Sequence, residues 1–406
     1  DSGDLLFQSM PIPPFLEKQW GAQAKSLIEA YNHLDIEYFS PGELDFAGGL
    51  DTFLSLMKSS KMKILSANIY KTDESKLLFT PYVIIKRGQS KVGIFGIIDE
   101  SLKLPPELKA ADHIAAAKET VRTLRSKVDV VIALTHIGLD KDIALAKTVS
   151  GIDAIFGAHT QSFLMTPEKV GDTLIFQPSF RGQHVGMYLD GDNSLFQVDS
   201  RFDSPSGAET LIDKLLQNTK SEIARLNKQT DALILSEDNY DKEKVDEVQT
   251  FTKCVDCHKP QYNFHKTTKH FEAFETLVKA KQSANLECLQ CHTVGFNAPG
   301  GWKHVSQLAT NNASKPIEAE KVVASLKKLA PAQIHKYDKI FFNVQCENCH
   351  GASGNHPFSN RKFEKVSSNA CIKCHTPDRA PNWYKNGKLD SKLVESKLKS
   401  ITCPRK

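Results

Sequence analysis

The chain has 406 residues, which is long enough for two or three domains. Its net charge of +4 hides an asymmetry: residues 251–406 hold 25 Lys and Arg against 12 Asp and Glu, whereas residues 1–250 hold 27 against 36. No apolar run approaches the ~20 residues needed to cross a bilayer, so we expect no transmembrane segment within these residues.

Residues 1–205 alternate strand-like and helix-like segments. Five β-branched runs bounded by Gly, Asp or Pro predict strands: KMKILSANIY, KVGIFGIIDE, VDVVIALTHIG, IDAIFGAHT and GDTLIFQPSF. Two segments between them, HIAAAKETVRTLRSKV and DKDIALAKTV, have the periodicity of helices. Because strands that alternate with helices build a layered sheet covered by helices, we predict an α/β layered domain.

A helical connector and a change of composition follow. Within residues 206–250, the segment ETLIDKLLQNTKSEIARLNKQTDALI repeats apolar residues every three or four positions, which predicts a helix of several turns. From residue 251 the strand patterns vanish, and Cys, His, Lys and short helical pieces dominate. We therefore predict that residues 251–406 form a mainly α, loop-rich domain.

This last region contains one motif four times. Each copy reads C-x-x-C-H, and together the copies use eight of the nine cysteines: Cys254/Cys257/His258, Cys288/Cys291/His292, Cys346/Cys349/His350 and Cys371/Cys374/His375. The spacing is typical of covalent c-type haem attachment, in which two thiols bond the porphyrin and the next His binds the iron. Zinc or a disulfide framework would not require a His after every cysteine pair. The sequence thus predicts four haem c groups, with Cys403 a free thiol.

Five more histidines lie in the same region: His265, His270, His304, His335 and His356. They are candidates for the second axial ligand of the irons, which an electron carrier needs to hold one geometry in both oxidation states. Haem propionates would offset the many lysines, so we do not expect nucleic-acid binding. Haem is attached to such motifs outside the cytoplasm, which predicts an exported protein, periplasmic or at the cell surface. No signal peptide is visible, and the opening DSGDLLFQ reads as the end of a strand, so we expect further residues upstream.

The four motifs with their flanks resemble the four-haem cytochrome c-554 family. The resemblance rests on KCVDCHKPQYNFHKTTKH, CLQCHTVGFNAPGGW, NVQCENCHGASGNH and CIKCHTPDRAPNW. It implies that His270 binds the third iron and His356 the fourth. It also implies that His304 or His335 binds the first, His304 being preferred. The family's second haem is often five-coordinate, so His292 would stand alone there unless His265 or the unused histidine closes its open face.

The first part of the chain resembles the 5′-nucleotidase branch of the calcineurin-like metallophosphatases. The resemblance rests on DSGDLLFQ and on VDVVIALTHIGLDKDIALAKTVSGIDAIFGAHTQ. It implies a metallophosphatase-like sandwich in which Asp4 bridges two metals, His136 and His159 bind one, and Gln161 binds the other. Two divalent metals can polarise a phosphoryl group and activate a water.

The match fails at a segment that the family needs for catalysis. Where it has Gly-Asn-His-Glu, this chain reads FSPGELDFAGG, so Pro41 and Gly42 replace the metal-binding Asn and the His. The NHLD stretch at residues 32–35 lies one segment too early, within a predicted helix. We therefore predict a fold that has lost efficient hydrolysis, with room for at most one metal, Mn or Zn.

These observations favour an electron-transfer protein whose phosphatase-like domain serves as a scaffold or docking module, with redox proteins as partners. One alternative is a metal-dependent phosphoesterase or nucleotidase-like hydrolase fused to a redox domain. Another is a haem-based reductase or oxidase of a small nitrogen or sulfur compound. The opposite charges of the two halves also suggest head-to-tail contact between copies, in a homo-oligomer or filament.

Overall fold

The computed structural model describes residues 1–179, 181–189, 192–198, 209–229, 247–358, 366–385 and 388–404. The chain divides into two compact units, Asp1–Gln217 and Asn218–Lys406. Helix α5 (Leu211–Gln229) spans the division, and the rest of the predicted connector lies largely outside the described residues. No helix in the described part of the chain is both long and apolar enough to span a membrane.

The first unit holds twelve short and long strands among its described residues. They are β1 (Tyr38–Phe39), β2 (Lys63–Ile64), β3 (Ile69–Lys71), β4 (Tyr82–Arg87), β5 (Ser90–Ile98), β6 (Leu108–Ala110), β7 (Val130–His136), β8 (Ala154–Gly157), β9 (Glu168–Val170), β10 (Thr173–Phe176), β11 (His184–Leu189) and β12 (Asp192–Gln197). Its helices are α1 (Glu17–His33), α2 (Leu50–Met57), α3 (His113–Leu124) and α4 (Leu139–Thr148).

Six of these strands form one sheet in the order β4-β5-β7-β8-β10-β9. Strands β5, β7, β8 and β10 run parallel, and β4 and β9 pair antiparallel at the edges. The centre of β5 is buried almost without interruption, as expected of a strand covered on both faces. Apolar side chains of α3 and α4 pack on this sheet around Phe95, Leu124 and Leu145. The α/β layered prediction is thereby confirmed.

The arrangement fixes where the functional residues lie. The carboxyl ends of β7 and β8 meet at one edge of the sheet, because the two strands are parallel neighbours. In open α/β sheets, ligands bind at this edge. The NHLD stretch is only partly helical, since α1 ends at His33 and Asp35 has a positive φ of 52°.

The second unit is mainly helical and rich in loops, as predicted. After α5 its helices are α6 (Phe251–Cys254), α7 (Lys259–His265), α8 (Ala273–Lys279), α9 (Leu286–His292), α10 (Ala319–Leu326), α11 (Pro331–Ile334), α12 (Cys346–His350), α13 (Ser368–Ile372) and α14 (Ser391–Ser400). It also has four short strands, β13 (Ala309–Asn311), β14 (Tyr337–Ile340), β15 (Tyr384–Lys385) and β16 (Lys388–Leu389). These pair as two antiparallel ladders, which the sequence did not predict.

Side chains also give this unit an apolar centre of its own. Phe251, Phe274, Trp302 and Phe342 are all at most 1% exposed. Phe274 and Phe342 pack with ring centroids 5.3 Å apart. The buried indole N–H of Trp302 donates a hydrogen bond to the Thr293 hydroxyl, which satisfies its only polar atom.

Candidate functional site

Four side chains of the first unit converge at the carboxyl edge of the sheet. His136 is the last residue of β7, and His159 follows β8 by two residues. Asp4 lies in the N-terminal loop, and Glu43 lies in the loop after β1. Their potential ligand atoms all lie within 4.8 Å of one another. We call these four residues the edge cluster.

The contacts within the edge cluster link both imidazoles to carboxylates. His136 Nε2 lies 3.3 Å from Asp4 Oδ2 and 2.9 Å from Glu43 Oε2. His159 Nδ1 lies 3.3 Å from Glu43 Oε1. Asp4 Oδ1 also accepts a hydrogen bond from the backbone N–H of Leu44. The set offers two nitrogen and two oxygen donors, a combination that suits a divalent transition metal.

The tautomer of His136 can be assigned from its surroundings. Its Nδ1 lies 2.7 Å from the Ser2 carbonyl oxygen, which can only accept, so Nδ1 carries the proton. Its Nε2 is buried and faces the carboxylates of Asp4 and Glu43. A ring that donates through one nitrogen to a carbonyl and presents the other is the usual arrangement of a metal-binding histidine.

The histidine and carboxylate side chains of the edge cluster shift the pKa values of one another. Burial disfavours the charged form of His136, but Asp4 and Glu43 outweigh it and raise the pKa of His136 to about 10. Burial also opposes ionisation of Glu43, yet contact with His136 brings the net pKa of Glu43 below its ordinary value. The metal-free cluster therefore holds an imidazolium between two carboxylates.

A buried carboxylate joins the two loops that carry the acids. Asp45 is fully buried and accepts hydrogen bonds of 2.8–2.9 Å from the backbone N–H groups of Asp4, Leu5, Leu6 and Gly42. Burial, followed by the charge of Asp4, raises the pKa of Asp45 to about 6. Asp45 thus fixes the position of Asp4 relative to the loop that holds Glu43.

Gly42 lies against the cluster with no room for a side chain. A Cβ atom at Gly42 would lie 2.4 Å from Asp4 Oδ1 and 2.6 Å from His136 Cε1. A Cβ atom at Gly3 would lie 2.4 Å from the nitrogen of Gly42. The two loops therefore approach each other backbone to backbone, which only glycine permits at these positions.

The structure brings together three of the four residues predicted for this site, Asp4, His136 and His159. Gln161 is exposed, and its role as a ligand stays a prediction. The structure adds Glu43, which the prediction missed. A signal existed, because Ser40–Glu43 stands where the resembled family has Gly-Asn-His-Glu, and the final Glu is retained.

In the second unit, the four C-x-x-C-H motifs lie on or next to short helices. The second and third motifs fall within α9 and α12, each of which ends at its histidine. The first and fourth motifs begin at the ends of α6 and α13. The Cys254 thiol lies beside Cys346, and the Cys291 thiol lies beside Cys374. The first motif is therefore next to the third, and the second is next to the fourth.

Cys257 is exposed, whereas the other seven motif cysteines are half-buried. The reason is local, because α6 ends at Cys254 and Cys257 lies in the turn between α6 and α7. The attachment of haem to Cys257, as to the other motif cysteines, stays a prediction from the motif.

Two further histidines face histidines of the motifs. The ring centroids of His258 and His356 are 6.2 Å apart, and those of His270 and His375 are also 6.2 Å apart. Two imidazoles that bind opposite faces of one metal, at about 2 Å per bond, have centroids roughly 6 Å apart. The spacing therefore fits a porphyrin iron between the rings. These pairings differ from those implied by the resemblance, which joined His356 to the fourth haem and His270 to the third.

His304 and His335 lie elsewhere. His304 caps the turn at Val305–Leu308, and its Nδ1 accepts the Ser306 N–H at 3.1 Å. In the neutral ring the proton is therefore on Nε2, which is unsuited to binding iron. His335 is exposed, and its Nε2 lies 3.1 Å from Asp256 Oδ1, within the first motif.

His265 and His292 have nitrogens suited to a metal. His265 Nε2 is buried, and burial lowers the pKa of His265 to about 4. His292 Nδ1 lies 2.5 Å from the Ala273 carbonyl oxygen, so Nδ1 carries the proton and Nε2 carries the lone pair. Trp383 stacks on His375 with centroids 4.2 Å apart and ring planes at 5°.

Comparisons with known proteins agree with this division. Residues 253–321 match the family model described as Cytochrome c554 and c-prime. The N-terminal region matches nucleotide-hydrolysing relatives in sequence. An apyrase of Tabanus yao is 32% identical over 44% of this chain and 38% of its own length. A snake venom 5′-nucleotidase of Naja atra is 30% identical over 51% of this chain and 44% of its own length.

Two solved structures overlap with the chain at low identity. A 5′-nucleotidase precursor from Thermus thermophilus gives a TM-score of 0.46 at 20% identity, over 69% of this chain and 57% of that one. The calcineurin-like phosphoesterase YfkN from Bacillus subtilis gives 0.43 at 23% identity, over 54% and 82%. The chain spans less than half the length of the apyrase and the venom nucleotidase. A cytochrome c554-type region thus follows a region similar to 5′-nucleotidases.

Proposed function

We propose that this protein is a multihaem c-type cytochrome that relays electrons through four covalently bound haems. The observation that carries the proposal is the presence of four C-x-x-C-H motifs in which two motif histidines each face a second imidazole at 6.2 Å. The contacts between thiols of different motifs bring the attachment points together in two pairs. Close pairing of haems favours fast electron transfer between them.

Our axial-ligand assignment follows the facing rings. His258 and His356 bind one iron, and His270 and His375 bind another, which makes both haems low-spin. His292 and His350 hold the remaining two irons. His265 is the favoured second ligand among the remaining histidines because its Nε2 is buried. His304 and His335 are weaker candidates, since each ring has another hydrogen-bonding role.

The first unit is a scaffold or docking module in this proposal, with one divalent metal, Mn or Zn. Support comes from position 42, where no side chain fits, and from Pro41, which has no ligand atom in its side chain. The protein is exported to the periplasm or the cell surface, since haem attachment takes place there. Its partners are redox proteins and further copies of the same chain.

The test is a pyridine-haemochrome assay combined with the intact mass of the protein from its native host. We expect four haems per chain, with thioether-bound porphyrin at all eight motif cysteines. A colourless protein, or one whose mass shows free thiols at those positions, would overturn the proposal. Electron paramagnetic resonance then distinguishes a pure relay, with low-spin irons only, from an open-faced haem.

A hydrolase remains the second candidate function, and the edge cluster is the observation that favours it. Its four donors could hold a metal that polarises a phosphoester. Turnover of nucleotides by the purified protein with added Mn²⁺, abolished by His136→Ala, would establish it. A high-spin haem fraction that shifts with nitric oxide or hydroxylamine would instead favour chemistry at the haem with the open face.

A further inference from the structure

We propose that the edge cluster binds one divalent cation and that Glu43 is its fourth ligand, in place of the Asn that position 41 lacks. This inference names the ligands of the single divalent metal in the proposed function. It rests on the proposed function for that metal and for nothing else. It assigns Asp4, Glu43, His136 and His159 as the complete set of side-chain ligands. It also assigns the site a structural role, which is to hold three loops together at the carboxyl edge of the sheet.

The position of Glu43 supports its role. Its two carboxylate oxygens lie near different histidines, Oε2 near His136 and Oε1 near His159. A carboxylate between two imidazoles can reach a cation that both rings also face. Because its neighbour Gly42 packs backbone to backbone against Gly3, the loop lies deep enough for the Glu43 side chain to reach the cluster.

The state of His136 is an independent indication of a ligand. Its side chain is only 1% exposed, and its Nε2 lies 3.3 Å from Asp4 Oδ2 and 2.9 Å from Glu43 Oε2. Buried charges of this kind are paired with a counter-charge or coordinate a metal. Because Nδ1 donates its proton to the Ser2 carbonyl, Nε2 is the nitrogen left to face a cation held by the same carboxylates.

Charge and composition indicate the class of cation. Two carboxylates and two neutral imidazoles carry a formal charge of −2, which one divalent ion neutralises. Mixed nitrogen and oxygen donors suit Zn²⁺ or Mn²⁺ better than Ca²⁺, which prefers oxygen alone. The proposed set of four ligands assigns no role to the exposed Gln161.

The inference can be tested on the full-length, haem-loaded protein with Mn²⁺ as the probe. The protein is treated with a chelator and titrated with Mn²⁺, while the free ion is followed by electron paramagnetic resonance. We expect one Mn²⁺ per chain at saturation. Glu43→Gln should weaken binding by about tenfold or more, because loss of even an outer-shell partner of a metal ligand costs about 10–100-fold in affinity. Glu168→Gln, at an exposed position of β9, is the matched control and should bind like the parent protein.

Two further variants keep the test decisive if Glu43→Gln fails to fold. His159→Ala removes a half-buried ligand and should also weaken Mn²⁺ binding, whereas Gln161→Ala should leave it unchanged. A stoichiometry of zero or two, unchanged affinity in Glu43→Gln, or loss of binding in Gln161→Ala would overturn the inference. The haem count of each sample reports separately on the electron-relay function, so failure of one is not failure of the other.

Discussion

At the scale of single residues, Gly42 is the position where the first unit tolerates least change. Replacement of Gly42 by Ala would place a methyl group 2.4 Å from Asp4 Oδ1 and 2.6 Å from His136 Cε1. We expect Gly42→Ala to destabilise this unit by about 1–3 kcal/mol, the usual cost of overpacking, and to weaken Mn²⁺ binding. Denaturant unfolding followed by circular dichroism measures the first effect.

Gly21→Ala is the control for that measurement. Gly21 lies in α1 with no neighbouring atom within 4 Å of an added Cβ, so alanine should be neutral or stabilise the helix by up to about 1 kcal/mol. If Gly42→Ala were as stable as Gly21→Ala, the loop would have adjusted to the added methyl group, which would contradict the predicted overpacking.

The same crowding at Gly42 predicts that Pro41→Asn with Gly42→His does not create phosphatase turnover, because a histidine side chain at position 42 has no space.

His356 is the second position with a sharp expected outcome. Its ring faces His258 in the first motif. Under the proposed ligation, His356→Ala should therefore convert one of the four haems from low-spin to high-spin or water-bound iron. The matched control is His304→Ala, since His304 caps a turn instead. The measurement is electron paramagnetic resonance of the oxidised protein. Conversion in the His304 variant, with none in the His356 variant, would contradict the assignment of His356.

At the scale of secondary-structure elements, the long buried strands and helices could be predicted from the sequence, whereas the short strands could not. Strands β5 and β7 follow from continuous β-branched runs, and α3 and α4 from helical periodicity. The ladder of β13 with β14 was missed because strands of three and four residues are too short to display an alternating pattern.

The sites show the same limit. The C-x-x-C-H motifs are local and could be read from spacing alone. The facing of His270 and His375 joins residues more than a hundred positions apart, so it depends on tertiary packing. Glu43 was overlooked for a related reason. The loss of Asn and His beside it was visible, whereas the inward path of its loop depends on the backbone contact between Gly3 and Gly42.

His136, at the end of β7, should make the thermal stability of the metal-free protein depend on pH. His136 has a folded-state pKa of about 10, above its ordinary 6.5, so its ionised form stabilises the fold fully below pH 6.5. That contribution is lost as the pH rises toward 10. We expect the melting temperature of the first unit to fall between pH 8 and pH 9.5 after chelation. His136→Gln should flatten this slope, and an unchanged slope would refute the explanation.

At the scale of the whole molecule, the uneven charge has a measurable consequence. Residues 1–250 carry 27 basic and 36 acidic side chains, and residues 251–406 carry 25 and 12. We expect copies to associate head to tail at low ionic strength and to separate as salt shortens the screening length to about 10 Å at 0.1 M. Sedimentation velocity across a salt series measures this. A monomer at every salt concentration would exclude such contacts.

The neighbouring thiols of Cys254 and Cys346, and of Cys291 and Cys374, have a consequence for the maturation of the protein under the proposed function. Neighbouring thiols in an oxidising compartment are prone to join as a disulfide. Such a bond would cross-link two different motifs and remove one sulfur from the attachment of each of two porphyrins. If the protein carries haem as proposed, its biogenesis has to keep these sulfurs reduced until the tetrapyrroles arrive, because a chain that folds too early would be trapped without its pigment.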